Sequence, residues 1–206
     1  MLNKSSLGKL RSVFAVGFIL TISMALTSYI DSSFLDTFIS KTRVGILFTV
    51  ASFASLVYIA NTPKILSKFG VVGTMQITTS AYILSILGLV FSHTPILLEI
   101  FFVVYWVSAV AMYTSLDVLI SEYSDGVSTG KTRAFYLTIY NLAFLIAPFI
   151  AGILVDTIDF RGVYLVSGFF VLCMSLFFTH SFKSLKLFPK KNGFNFISNF
   201  VDLFKN

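Results

Sequence analysis

Six long apolar runs separated by short polar turns leave this 206-residue chain few folds to choose from. They fall at Ser12–Ile30, Val44–Ala60, Val71–Ser92, Pro95–Leu116, Ala134–Val155 and Gly162–Phe182. As a helix, a run of about 17 to 22 residues crosses a hydrocarbon core of roughly 30 Å. Membrane strands do not fit. A barrel strand alternates polar with apolar, whereas Phe101-Phe102-Val103-Val104-Tyr105-Trp106-Val107 is apolar on every side. The expected fold is therefore all-α, a polytopic bundle of six transmembrane helices. Composition agrees: 56% of residues are hydrophobic and only 12% charged, against about a quarter charged in soluble domains.

The formal charge of +6 does not mark a nucleic-acid binder, because the basic residues sit between apolar runs and form no continuous face. Cys173, the single cysteine, excludes an internal disulfide and a cysteine-based metal cluster. His93 and His180 stand too far apart in sequence to suggest a metal site. The loop from Asp125 to Thr132 ends like a phosphate-binding loop, yet it lacks the four-residue spacing and a preceding strand. No hydrolase elbow or metalloprotease helix is present. The chain reads as no enzyme, with no cofactor.

Charge placement sets an orientation. With the amino terminus inside, the cytoplasmic segments hold Lys4, Lys9, Arg11, Lys64, Lys68, Lys131, Arg133, Lys183, Lys186, Lys190, Lys191 and Lys205. Only Lys41, Arg43 and Arg161 remain outside, so twelve of the fifteen basic residues are cytoplasmic. A multi-pass protein of the plasma (inner) membrane with both termini in the cytoplasm follows. Lys4, Lys9 and Arg11 ahead of an apolar stretch also fit a signal peptide, but the stretch is long for one, and the charge balance favours its retention. Three segments result: residues 1–11 as a cytoplasmic lead, 12–182 as the bundle, and 183–206 as a tail. The tail joins a basic band to Phe194, Ile197, Phe200, Val201 and Phe204 near one helical face, which suits an anionic membrane surface, a docking segment or the start of a linker.

Two motifs carry a family resemblance. In the fifth run, Ala143 precedes Ala147-Pro148-Phe149-Ile150-Ala151-Gly152. This is similar to the Gly-Pro-x-x-Gly-Gly motif of the major facilitator superfamily, with alanine in place of two glycines. Arg161-Gly162, followed by Tyr164 and Gly168, is similar to that family's entry into its sixth span. Between the second and third runs, Pro63 to Val72 resembles the family's loop Gly-x-x-x-Asp-Arg-x-Gly-Arg-Arg: Gly70 matches and Lys68 keeps a charge, beside Lys64. Ser67 lacks the carboxylate, which puts the loop's ionic latch in doubt, although Asp117 resembles the acid that partners it. The chain from about residue 10 to 185 thus resembles the amino-terminal six-helix half of such a transporter, which implies two inverted three-helix repeats. Consistent with a repeat, Thr49, Ala54 and Leu56 stand 89 residues before Thr138, Ala143 and Leu145.

Four residues are candidates for a solute or ion pathway. Glu99 lies about 6 Å in from the outer end of its helix. It is either a protonatable, cation-binding group or a carboxylate close enough to the interface to reach water. Trp106 and Tyr113 share a face with Phe102 and Ala109, and the resemblance places the fourth span on a central cavity where they can stack on a solute. Filling packing gaps is the alternative role. Asn141 is expected to bond to another helix rather than to solute. Tyr29 and Asp31 are expected to be interfacial anchors. Ala143, Ala147 and Ala151 form a small-residue packing stripe, and Pro148 permits a bend.

The resemblance implies secondary transport of a small solute by one half of a carrier. Such a half works within the lipid bilayer and needs a second six-helix bundle, supplied separately, by self-association or by a longer chain of which this is a fragment. The alternatives are a non-transporting membrane partner protein and a membrane-embedded lipid-modifying enzyme. For the enzyme, Glu99, Asp117 and Asn141 lie at different depths.

Overall fold

The computed structural model describes residues 4–123 and 129–182, and these form helices joined by tight turns. The expected amphipathic tail after Phe182 lies outside the described residues, as does the first half of the Asp125–Thr132 loop, whose second half, from Thr129, is the start of α5 rather than a turn. The elements are α1 (Lys4–Ser28), α2 (Asp31–Asp36), α3 (Lys41–Phe91), α4 (Pro95–Tyr123) and α5 (Thr129–Phe182). Four helices are long and apolar enough to cross a membrane, with mean hydropathies of 1.8 to 2.1. The expected six appear here as four because α3 and α5 each run on through an interruption.

At 51 and 54 residues, α3 and α5 would each extend more than about 75 Å if straight, over twice the thickness of a bilayer core. Each contains one non-helical residue: Gly70 at φ 69°, ψ 167° in α3, and Asp159 at φ 65°, ψ 169° in α5. The contacts show that the chain doubles back there. Near the start of α3, Arg43 pairs with Glu99 at the start of α4. Near the end of α3, Gly88 lies against the Phe101 ring of the same α4 segment. In α5, Arg133 reaches Asp117 and Phe182 reaches Tyr123, both toward the far end of α4. Phe160 and Tyr164, just past the break, meet Phe34 at the opposite end of the bundle.

Helix α1 is the central element: 61% of its most apolar stretch is buried, against 17 to 33% in the other three long helices. Lipid removes most of the hydrophobic drive between helices, so association depends on close packing and interhelical hydrogen bonds. The small residues on α5 supply the first. Ala143, Ala147 and Ala151 are all buried, and the first two line a narrow gap with Phe18, Ile22 and Leu26 of α1. Gly152 lies off this contact, with open space where a Cβ would stand. Pro148 is carried inside α5 without leaving helical geometry. Many buried hydroxyls bond back to their own helix, as Ser55 does to the Ala51 carbonyl at 2.8 Å and Ser115 to the Ala111 carbonyl at 2.9 Å. That arrangement satisfies them without a second helix.

Candidate functional site

The polar centre of the molecule gathers where α1 gives way to α2. Ser28 ends α1, and two turn residues later Asp31 opens α2, a helix of only six residues. Asp31 is fully buried, which corrects the expectation of an interfacial anchor. Its Oδ1 accepts a hydrogen bond from the Tyr164 hydroxyl of α5 at 2.5 Å, while Oδ2 is buried without a partner. Tyr105 of α4 stands with its ring centroid 6.1 Å from that of Tyr164, and Tyr82 of α3 lies 5.0 Å from Tyr105. The hydroxyls of this cluster are mutually engaged: Thr27 with Tyr105 at 2.6 Å, Ser23 with Ser167 at 2.7 Å, and Tyr82 with Ser167 at 3.3 Å. One carboxyl thus sits among hydroxyls from four helical segments. Sequence reading missed it because the residues come from distant positions and Asp31 lies near the end of an apolar run. The available signal was an acid following a hydroxyl series, Thr21, Ser23, Thr27 and Ser28, that no soluble-face pattern explains.

A second group of aromatic residues lines α1, α4 and α5. Tyr113 lies 5.4 Å from Tyr140, which stacks on Phe144 at 4.8 Å, and Tyr29 donates to the Phe144 carbonyl at 2.9 Å. The Tyr113 and Tyr136 hydroxyls are buried without partners. Trp106 sits apart from this row, edge-on to Phe48 of α3 at 5.2 Å and 5.7 Å from Phe102. The structure therefore does not bring Trp106 and Tyr113 into one contact group.

Glu99 is held by Arg43 at 2.6 Å, and both line an apolar cleft of about 510 Å³ with Leu47, Val50, Ile100 and Val103. Asp117 pairs with Arg133 at 3.1 Å. The latch to Lys68 is absent from the structure: the Lys68 ammonium instead lies over the Phe69 ring. Lys64 is exposed, near the Gly70 break. Asn141 is exposed on α5 and makes no bond to another helix. That differs from the expected interhelical bond, since the amide faces away from the α1 contact made by Ala143 and Ala147.

Long apolar helices around a small, closed polar centre define an integral membrane protein of the helix-bundle class. A sequence profile described as Major Facilitator Superfamily matches residues 12–205. The chain belongs to that superfamily, whose members are transporters. Among curated proteins, none matches.

Proposed function

We propose that this chain is one six-span half of a secondary carrier, moving a small solute by rocking against a second bundle. The carrying observation is the matched pair of breaks at Gly70 and Asp159. Each splits an over-long helix into two stretches of spanning length, which brings the count to six with α1 and α4. The breaks stand 89 residues apart, the same offset that aligns Thr49, Ala54 and Leu56 with Thr138, Ala143 and Leu145. This supports two three-helix repeats. On this reading, Gly70 and the basic residues Lys64 and Lys68 face the cytoplasm, and Asp159 with Arg161 faces outside.

The exposed apolar side chains offer a face on which a second bundle would replace lipid. Phe53 and Leu56 on α3, with Leu145 and Phe149 on α5, are 61 to 75% exposed. They flank the α4 segment that carries Trp106 and Tyr113, the wall we assign to the solute. The test replaces Cys173 with serine, places cysteines at Phe53 and Phe149, and cross-links in native membranes. Capture of a second apolar bundle, encoded separately or from another copy, is expected. Solute exchange catalysed by the purified chain as a strict monomer would overturn the proposal.

A further inference from the structure

We infer that the cleft between α3 and α4 is a phospholipid site, taking one acyl chain along its floor and a headgroup with a primary ammonium at the Arg43–Glu99 pair. The inference does not depend on the carrier reading.

The cleft holds about 510 Å³ and is open on one side. Apart from Arg43 and Glu99 its lining is aliphatic, from Ile46, Leu47 and Val50 on α3 to Ile100, Val103 and Val104 on α4. With no hydroxyl or amide to orient a polar solute, such walls suit a flexible hydrocarbon chain. Loose packing of the two helices is not the cause. Within the same seam, Phe48 stands edge-on to Phe102 and Trp106 at 5.1 and 5.2 Å.

Depth follows the order of a lipid. Arg43 is the third residue of α3 and Glu99 the fifth of α4, while Val50 and Val104 lie further along the same helices. At helical rise the charges sit about 3–6 Å from the helix ends, and the aliphatic floor continues for about 7–10 Å beyond them. Headgroup and acyl chain are layered in that sequence.

The charges select the headgroup. Arg43 Nη2 meets Glu99 Oε1 at 2.6 Å, and the two side chains keep 51% and 24% of their surface exposed. The remaining guanidinium N–H groups suit a phosphate, and Glu99 Oε2 suits an ammonium that donates N–H. One cation beside one anion matches a zwitterion. An anionic headgroup would meet the Glu99 carboxylate, and a quaternary ammonium has no hydrogen to donate.

The test places the full chain in nanodiscs of equimolar phosphatidylethanolamine, phosphatidylcholine and phosphatidylglycerol with identical acyl chains. Native mass spectrometry then reads the retained lipid. One phosphatidylethanolamine is expected, favoured about tenfold over either competitor, the effect of one charge-assisted hydrogen bond. Ile100→Trp fills the cleft and should abolish the preference. Glu99→Gln leaves Arg43 as an unpaired cation and should turn the preference to phosphatidylglycerol. Equal retention of the three headgroups, or a preference that either folded variant leaves unchanged, overturns the inference. Should Ile100→Trp fail to fold, Glu99→Gln decides, because a partly exposed pair contributes little to folding. Loss of the lipid once a second bundle is captured would assign the cleft to the partner's side chains and also overturn it. Selective retention by a chain that captures no second bundle leaves the lipid site standing while the carrier reading fails.

Discussion

Gly70 and Asp159 adopt one backbone conformation, φ near 65–69° and ψ near 167–169°, at positions 89 residues apart. That region is essentially restricted to glycine. The first break has the residue it requires. The second holds an aspartate, whose carboxylate accepts the Phe160 amide in partial compensation.

Asp159→Gly is therefore expected to stabilise the chain by about 1 kcal/mol or more, and Gly70→Ala to destabilise it by a similar amount. Thermal midpoints in one detergent, with and without each substitution, check both signs.

The ion pairs of α4 carry little stability. Arg43 and Glu99 are partly exposed, 51% and 24% by side chain, which limits the pair to about 0–1 kcal/mol. Arg43→Glu alone is expected to lower the thermal midpoint slightly, and Arg43→Glu with Glu99→Arg to restore it.

Close approach of α3 and α4 depends on Gly88. A Cβ there would fall 2.3 Å from the Phe101 ring, too near for the ring to remain in place. Gly88→Ala is expected to cost about 1–3 kcal/mol. Adding Phe101→Ala should recover part of the loss, and a double-mutant cycle on thermal stability measures the coupling.

Orientation has a direct check. In a Cys173→Ser background, a cysteine at Lys41 should react with a membrane-impermeant maleimide in intact cells. Cysteines at Lys64 and Arg133 should react only after permeabilisation. External labelling at Lys64 or Arg133 would invert the proposed topology.

How far the residues alone reached depends on the range of the interaction. Ala143, Ala147 and Ala151 showed a buried stripe because helical spacing is local and small side chains report close packing. Asn141 was misjudged because a helix has more than one face, and neighbouring residues do not say which one meets α1. Lys68 and Asp117 suggested a latch from charge and family pattern, but side-chain reach gave Asp117 to Arg133 instead. Asp31 looked interfacial since it closes an apolar run.

Apolar run length determined by itself that this chain is a membrane helix bundle, because each helix must satisfy its backbone internally before it meets another. Only the tertiary structure decided which polar groups lie inside. Asp31, Tyr82, Tyr105 and Tyr164 come from four separate segments, and nothing short of packing those segments together encloses one carboxyl among three phenols.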